Sequence, residues 1–234
     1  MSKRQVRFRD EEPTDGHGGR RSLVRDDPFD PDPMYAELYA SLPYATELEP
    51  WLGWCRRARG PVLYLGVGTG RLAVPLALAG IDLVGVDAHP GMLARVRERL
   101  PNKEFLLTTV EDLSLGRMFD LVMAPSNLVT TSARLRSAAS HSQQRVAFEI
   151  TNPLWLEAGT RPGLKVRKLE HSWAEFDISY PGGWTERVAT ALIWPNEIDS
   201  WVHEVGLRIE VICARDGRGD TTESSTLCVL CCIG

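Results

Sequence analysis

The stretch Pro61-Val62-Leu63-Tyr64-Leu65-Gly66-Val67-Gly68-Thr69-Gly70-Arg71 decides the fold. Its apolar run ends in three alternate glycines and passes directly into an apolar-periodic segment at residues 72–79. This order predicts a buried strand, a tight turn and a helix. Glycine accepts backbone angles closed to other residues and lets a ligand lie against the main chain. Because the N–H groups of a helix's first turn point into such a turn, the stretch predicts a nucleotide-like cofactor site.

The composition is that of an ordinary globular protein. The chain has 234 residues, 43% hydrophobic and 25% charged, which suits one domain with a small appendage. Its formal net charge of -4 argues against nucleic-acid binding. No apolar run is long enough to span a membrane, and the N-terminus lacks the apolar centre of a signal peptide. We therefore expect a cytoplasmic protein with no nucleic-acid or membrane partner. The oligomeric state stays open, with a homodimer as one candidate.

The five cysteines predict neither a disulfide nor a metal site. An odd count in a cytosolic chain indicates free thiols. Cys228, Cys231 and Cys232 lie inside the apolar run 227–233, where cysteine is better explained as a small buried hydrophobe than as a ligand. We expect no bound metal.

The first residues predict a mobile tail. Residues 1–28 are rich in arginine and poor in apolar side chains, so we expect them to lie outside the folded domain, residues 29–234. A capping run at residues 30–33 then begins a helix. Tyr35 and Tyr39 share one face of that helix, where they either pack or cover the glycine turn as a lid.

An acid follows the glycine stretch at an informative distance. Residues 81–87 form an apolar run that ends in Asp87, at about the spacing past Gly70 at which a carboxylate reaches a cofactor ribose. A carboxylate can accept hydrogen bonds from two vicinal hydroxyls. Asp87 could also cap the helix that begins near Pro90. We favour the ribose role, which does not exclude the cap.

Strand and helix patterns alternate as far as residue 151. Apolar strand patterns at 104–108, 118–124 and 144–151 predict right-handed crossovers and a parallel sheet. Ligands bind beyond the carboxyl ends of such strands. The residues expected at this edge are Gly66, Asp87, Thr109, Ser126 and Glu149.

The pattern changes after the fifth strand. An insert at about 156–194 contains alternating apolar and polar residues from 164 onwards, with a turn at 180–184, and predicts an antiparallel hairpin. The chain then finishes with a helix and two strands, at 195–205, 206–212 and 227–233.

The region from Val62 to about Ala124 resembles the core of the class I S-adenosylmethionine-dependent methyltransferases. It carries the Gly-x-Gly-x-Gly turn, the acid at the end of the second strand and a Phe-Asp-Leu-Val fourth strand. The closing helix and strands, from Trp194 to Ile209, resemble that family as well. The resemblance implies an α/β, Rossmann-like, seven-stranded, mostly parallel sheet with an antiparallel last strand. Helices cover both faces, and the small antiparallel β insert follows strand five.

A nicotinamide dehydrogenase is the main competing class of nucleotide-binding protein. Its fingerprint has a third glycine three places after the second. Here Gly68 is followed by Thr69, Gly70 and Arg71, and a seventh strand after a late helix also suits the methyltransferases better.

The resemblance also implies S-adenosylmethionine as the cofactor. Tyr64 stands where the family often has an acid that helps to hold the methionine ammonium, and Thr109 stands where an acid often meets the adenine, with Asp112 nearby. A degenerate domain that serves as a scaffold or regulatory partner is therefore the alternative. The expected cofactor-binding residues are Tyr39, Gly66, Val67, Gly68, Gly70, Asp87, Ala88, Met92, Thr109, Val110, Pro125 and Ser126.

The expected activity is methyl transfer to an N or O atom of a small molecule, in secondary metabolism. Methyl transfer depends mainly on alignment of acceptor and methyl group, and a base matters where the acceptor is protonated. Glu149 and His171 are the catalytic candidates. The structural alternatives are that Glu149 is an acid bonded to the neighbouring loop and that His171 is an exposed histidine of a strand. Glu170-His171-Ser172 resembles the insert of amino-sugar N,N-dimethyltransferases.

Two further features bear on the acceptor. Ala124-Pro125-Ser126-Asn127 shares only Pro125 with the Asn/Asp-Pro-Pro-Tyr motif of amino-directed nucleic-acid methyltransferases, which argues against a nucleic-acid base. Aromatic side chains of the insert form either a wall for a flat acceptor or the insert's own core. They are Trp155, Trp173, Tyr180 and Trp184.

Overall fold

Helices and strands alternate through the part of the chain that the computed structural model describes, residues 23–25, 32–217, 221 and 223–234. The helices are α1 (Pro33–Ser41), α2 (Trp51–Cys55), α3 (Ala73–Leu78), α4 (Pro90–Arg99), α5 (Ser132–Ser140), α6 (Pro153–Glu157) and α7 (Ile198–His203). The strands are β1 (Leu23–Arg25), β2 (Val62–Leu65), β3 (Leu83–Asp87), β4 (Glu104–Leu107), β5 (Phe119–Ala124), β6 (Ser142–Thr151), β7 (Leu164–Glu170), β8 (Trp173–Ser179), β9 (Thr185–Ala191), β10 (Leu207–Ala214) and β11 (Thr226–Ile233).

The main sheet has seven strands in the order β10-β11-β6-β5-β2-β3-β4. The pairings from β6 to β4 are parallel, whereas β11 runs antiparallel to both β6 and β10. β2, at the centre, is buried along its whole length, which agrees with its uninterrupted apolar sequence. The predicted α/β class, with a mostly parallel sheet and an antiparallel last strand, is confirmed.

Apolar side chains on the two faces of the main sheet form separate cores. On one face α5 and α7 cover Leu63, Val122 and Phe148, and the Phe148 ring meets Trp201 edge-on at 5.5 Å. On the other face α2, α3 and α4 cover Tyr64 and its neighbours. Helices therefore lie on both faces, as predicted, and leave the carboxyl edge of the central strands for the loops.

The insert is a second sheet, with strand order β1-β9-β8-β7, which we call the insert sheet. A single hairpin was expected, but β7, β8 and β9 form an antiparallel meander. The hairpin prediction was incomplete because β7 and β8 are joined by the short turn His171-Ser172, which contains none of the glycine, asparagine or proline signals of a turn. The second reversal, at Pro181–Gly183, is the predicted one.

Part of the predicted tail belongs to this sheet. Leu23–Arg25 pair in parallel with β9, and Val24, opposite Glu186, is fully buried. The mobile-tail prediction is therefore wrong for these residues, because one buried valine and a strand edge suffice to hold a segment of low overall hydrophobicity. The rest of the segment 1–28 lies outside the described residues.

Helix α2 is shorter than its apolar pattern predicts. Leu48, Trp51, Leu52 and Cys55 recur at helical spacing, which predicts a helix over about 46–58. The structure begins the helix at Trp51, directly after Pro50, whose ring disfavours helical angles in the preceding residue. None of the helices in the described ranges is both long and apolar enough to cross a membrane.

Candidate functional site

The glycine turn joins β2 to α3, and its glycines differ in what surrounds them. All three have positive φ, 69° at Gly66, 58° at Gly68 and 88° at Gly70. A Cβ atom at Gly70 would lie 2.7 Å from Val96 Cγ2, and one at Gly66 would lie 3.1 Å from Ser126 Oγ. A Cβ at Gly68 would meet nothing within 4 Å. Packing and backbone angle thus require glycine at 66 and 70, whereas Gly68 presents its backbone to open space.

Asp87 lies at the end of β3, against this open position. Its Oδ2 accepts the Gly68 N–H at 2.7 Å and its Oδ1 accepts the His89 N–H at 2.8 Å. Burial raises the pKa of the carboxyl group, and the backbone hydrogen bonds from His89 and Gly68 partly offset this effect. A carboxylate has about four acceptor positions, so these two bonds leave capacity for a ligand hydroxyl.

The cap of α4 is supplied by a different residue from the one considered from the sequence. His89 Nδ1 accepts from the N–H groups of Gly91 and Met92, at 3.1 and 3.3 Å. His89 Nε2 therefore carries the proton and donates to the Asp32 carbonyl at 2.9 Å. Because His89 performs the capping, the Asp87 carboxylate is not needed for it.

Helix α1, which we call the lid helix, contacts the glycine turn. Thr69 Oγ1 donates to the Tyr39 carbonyl at 3.4 Å, and Asp32, at the other end of the helix, is bound by His89. The Tyr39 hydroxyl points to Glu186 of the insert sheet, 3.3 Å from both carboxylate oxygens. The helix therefore contacts the glycine turn through the Tyr39 backbone, while the hydroxyl of Tyr39 contacts the insert, so both alternatives considered for its side chain stay predictions.

Glu186 is a residue that the sequence did not single out. It lies on β9, is 3% exposed, and accepts hydrogen bonds from three tyrosine hydroxyls. Tyr35 donates at 2.9 Å and Tyr180 at 2.7 Å, in addition to Tyr39. Burial raises the pKa of Glu186, and the tyrosine hydrogen bonds oppose the shift. An acid in an alternating strand ordinarily faces solvent, so the sequence carried no signal for this cluster.

Asn127, after β5, connects the carboxyl edge of the main sheet to the insert sheet. Its Oδ1 accepts the Thr151 N–H at 2.8 Å, and its Nδ2 donates to Thr190 Oγ1 on β9 at 2.7 Å. The predicted cofactor residues Pro125 and Ser126 directly precede it. The insert sheet is thus attached to the edge where a parallel sheet binds ligands.

The segment after β4 also lies at this edge. Thr109 Oγ1 donates to Asp112 Oδ2 at 2.8 Å and accepts the Asp112 N–H at 3.1 Å, so the acid near Thr109 is tied to it. Val110 is buried. The structure thus places Thr109 and Val110 beside the end of β3, near Asp87 and Ala88.

Glu149 is buried near the end of β6, 4% exposed, opposite Cys228. Its Oε2 is one of two buried side-chain oxygens without a hydrogen-bond partner among the described residues; the other is Oγ1 of Thr226. Burial raises the pKa of Glu149, and the charge of Arg215 and the neighbouring Thr226 hydroxyl, which lies close to the carboxylate without forming a well-aligned hydrogen bond, partly offset the shift. Burial, followed by the charges of Glu149 and Asp87, also raises the pKa of Tyr64. Tyr64 therefore lies within electrostatic reach of both acids.

His171 occupies a different environment, in the β7–β8 turn. Its side chain is 72% exposed, with Nε2 2.9 Å from Glu197 Oε1. Its ring stacks on Trp194 at 5.5 Å, and Trp194 Nε1 donates to the His171 carbonyl at 2.6 Å. Among the contacts of the described residues, none joins His171 to Gly68 or Asp87. His171 lies in a turn rather than in the strand expected for it.

The aromatic residues of the insert do not form one wall. Trp155 packs against the core of the insert sheet and carries Arg161 over its ring at 4.2 Å. Trp173 lies on the opposite face, with Lys168 over its ring at 5.3 Å. Tyr180 faces Glu186. The pleat of the strands separates aromatic side chains that are close in sequence.

Within the described ranges, no group of three or more His, Cys, Asp or Glu side chains could hold a metal ion.

Comparison with known proteins agrees with this geometry. Residues 62–147 match the family model described as a methyltransferase domain. An uncharacterized methyltransferase of Mycobacterium tuberculosis (strain ATCC 25618 / H37Rv) is 42% identical over 72 residues, which is 31% of this chain and 29% of that protein. The match thus spans less than a third of the curated relative's length.

Solved structures match nearly the whole chain. The CcbJ methyltransferase from Streptomyces caelestis has a TM-score of 0.65 at 22% identity, over 84% of this chain and 94% of that chain. CalS10, an amino pentose methyltransferase from Micromonospora echinaspora solved with S-adenosylmethionine, has a TM-score of 0.60 at 17% identity, over 86% and 97%. Residues 62–147 thus resemble a methyltransferase domain, and the chain shares the fold of these solved methyltransferases.

Proposed function

We propose that this protein transfers the methyl group of S-adenosylmethionine to an N or O atom of a small molecule. The observation that carries the proposal is the pairing of Gly68 with Asp87. The Gly68 N–H, in a stretch of backbone that faces open space, donates to the half-buried carboxylate of Asp87, and helix α1 contacts the same turn. The match to the methyltransferase-domain family model, over residues 62–147, includes both residues. Residues 29–234 would form the catalytic unit, with β1 joined to the insert sheet.

The cofactor site consists of four segments at the carboxyl edge of the main sheet. Asp87 would accept from the ribose hydroxyls, and the glycine turn would approach the amino-acid end. The lid helix, through Tyr39, would cover the bound molecule. The complete set comprises Tyr39, Gly66, Val67, Gly68, Gly70, Asp87, Ala88, Met92, Thr109, Val110, Pro125 and Ser126.

When bound, S-adenosylmethionine supplies an electrophilic methyl group on a sulfonium, which leaves as a thioether. The chain's contribution is to exclude water and to hold the acceptor in line with the methyl group. A protonated acceptor must also lose its proton. Glu149 is favoured over His171 as the proton acceptor, because Glu149 is buried with an unpartnered oxygen whereas His171 is engaged with Glu197 at the surface. Burial raises the pKa of the Glu149 carboxyl towards neutral pH, and a general base is most effective when its pKa lies near the working pH.

The acceptor is proposed to be small, and the reaction to belong to secondary metabolism. The bond between Asn127 and Thr190 holds the insert sheet against the carboxyl edge. The insert sheet would therefore narrow the path by which an acceptor reaches that edge. The shared fold with an amino pentose methyltransferase supports a small acceptor, and the net charge of -4 weighs against a nucleic acid. The five free cysteines support a cytoplasmic location.

The test is a pair of glycine substitutions with the same backbone cost. Gly68→Ala places a methyl group in open space at the proposed cofactor position. Gly80→Ala is the control: Gly80 lies at the far end of α3, has a φ of 88°, and its added methyl group would also meet nothing within 4 Å. Both should destabilise the fold by about 1 kcal/mol, because both glycines have positive φ. Calorimetry should show that Gly68→Ala weakens S-adenosylhomocysteine binding at least tenfold and that Gly80→Ala leaves it unchanged. Equal effects of the two substitutions would contradict the assignment of the cofactor site.

A scaffold without activity is the second candidate, and a specific observation favours it. Tyr64, buried and aromatic, replaces an acid, and Thr109 is bonded to Asp112. Failure of the wild-type protein to bind S-adenosylhomocysteine would support the scaffold. Binding without turnover on any of a broad panel of amine and hydroxyl acceptors would support a regulatory domain that keeps its cofactor.

A further inference from the structure

Glu186 joins two parts of the molecule that the sequence treats as unrelated. Its carboxylate lies on β9 of the insert sheet and is 3% exposed. Tyr35 and Tyr39 reach it from the lid helix, and Tyr180 reaches it from the turn that precedes β9. A buried carboxylate without donors is costly, so this group favours the arrangement in which both elements contribute.

The lid helix is also held by the buried side chains of Ala36 and Leu38, by the ion pair between Glu37 and Arg95, and by groups near the proposed cofactor site. The Tyr39 carbonyl accepts from Thr69 in the glycine turn, and the Asp32 carbonyl accepts from His89, two residues after Asp87. Arg71, at the end of the glycine turn, lies over the Tyr39 ring at 5.8 Å, and its charge also acts on Glu186. The lid helix therefore contacts both Glu186 and residues of the glycine turn and of the start of α4.

The insert sheet has a second attachment near the proposed acceptor site. Thr190 lies on the same strand as Glu186 and, by the alternation of the strand, on the same face. Thr190 accepts from Asn127, which follows Ser126 at the carboxyl edge of β5. One strand thus contacts the lid helix at its beginning and the loop after β5 near its end. A movement of β9 would affect both.

We propose that Glu186 is a positioning residue that latches the lid helix to the insert sheet, so that the cover of the cofactor site and the wall of the acceptor site open and close together. The inference rests on the proposed function, because it assigns a role to the cover of that same site. Glu186 acts through Tyr35, Tyr39 and Tyr180 and has no contact with the reacting atoms.

The latch predicts how the protein responds to loss of a single hydroxyl. Opening the lid helix withdraws two of the hydrogen-bond donors from Glu186, so the closed state is favoured only while the cluster is intact. Tyr180→Phe removes the donor that comes from the insert side and leaves the packing of the ring in place. Glu186→Gln keeps the shape of the side chain but replaces one acceptor oxygen by an N–H donor, which faces tyrosine hydroxyls that donate to the carboxylate.

The experiment measures ligand binding and local opening on the full chain. S-adenosylhomocysteine affinity and dissociation rate are measured for the wild type, Tyr180→Phe, Glu186→Gln and a control, Tyr44→Phe. Tyr44 is 44% exposed and lies under Arg99, away from the cluster. Hydrogen exchange is followed in residues 33–41 and 164–191, with and without ligand. We expect Tyr180→Phe and Glu186→Gln to raise the dissociation rate about tenfold and to speed exchange in both segments together.

Several outcomes are distinguishable. Faster exchange in both segments with weaker ligand binding supports the latch, and unchanged exchange of residues 33–41 in Tyr180→Phe overturns it. A lower melting temperature with unchanged dissociation rate and affinity would also overturn it, because that is the result of a purely structural cluster. If the wild type does not bind S-adenosylhomocysteine, the proposed function fails. In that case the latch is tested by hydrogen exchange without ligand, according to whether the two segments exchange faster together. Tyr180→Phe provides this test even if Glu186→Gln does not fold.

Discussion

The Asp87 carboxylate accepts the Gly68 N–H at 2.7 Å, so the acid at the end of β3 is fixed against the one glycine of the turn whose backbone faces open space. The bond ties the end of one central strand to the loop after its neighbour. It orients the carboxylate before any ligand arrives, which lowers the cost of ordering on binding.

Replacement of Asp87 by alanine should weaken S-adenosylhomocysteine binding at least tenfold, equivalent to about 1.4 kcal/mol. The reason is the loss of the acceptor for ribose hydroxyls together with the anchor of Gly68. Asp82→Ala is the matched control, because it removes an aspartate just before the start of the same strand, where Asp82 is paired with Lys103. Calorimetry that finds equal affinities for the two variants would remove Asp87 from the site.

Replacement of Glu149 by glutamine should raise stability at pH 8 and leave it unchanged near pH 4. Burial raises the folded-state pKa of Glu149 above the unfolded value of about 4.5. Ionisation of this group therefore lowers stability progressively as pH rises through that window, and a neutral side chain avoids the loss. Thermal unfolding at both pH values checks this, with the exposed Glu98→Gln as control. A variant less stable than wild type at pH 8 would show that Glu149 is stabilised as the anion.

The same variant tests the proposed base once an acceptor is identified. Glu149→Gln should lower turnover at least a hundredfold for an acceptor that must lose a proton, and should leave S-adenosylhomocysteine affinity within twofold. His171→Asn should change both quantities less than twofold, because His171 is exposed and bonded to Glu197. The opposite ranking of the two variants would make His171 the base.

Replacement of Asp177 by asparagine should destabilise the protein by about 3 kcal/mol. The Asp177 carboxylate receives Arg187 at 2.9 Å and Arg167 at 2.7 Å, and the Arg187 side chain is only 2% exposed. Burial alone would raise the pKa of Asp177, but the hydrogen bonds from the two arginines outweigh it and the pKa is lowered. The destabilisation should therefore be present at neutral pH and fade as pH falls below about 4.

The control for the Asp177 prediction is an exposed ion pair of the insert sheet. Glu170 and Lys168 are each more than half exposed, so Glu170→Gln should change stability by less than about 1 kcal/mol. Denaturant unfolding of both variants provides the comparison. Equal losses would mean that the Arg187 cluster contributes no more than a surface ion pair.

The sequence by itself determined the main sheet and the place of the proposed cofactor site. Glycines at 66, 68 and 70, an acid at 87 and uninterrupted apolar strands are local features, and each restricts the backbone independently of distant residues. The α/β class and the methyltransferase resemblance were predictable for that reason and are confirmed. The cofactor and catalytic residues drawn from them stay predictions, since they concern a bound molecule.

Only the tertiary structure decided which polar side chains meet. Glu186 and Asp177 have the same appearance in an alternating strand, yet one collects three tyrosine hydroxyls and the other two arginines. Glu149 and His171 were comparable candidates in the sequence, and burial separates them. Such contacts join residues far apart in the chain, so they depend on how the insert sheet lies against the lid helix. Local sequence determines the helix and the strands, but the position of one against the other follows only from the packing of the whole fold.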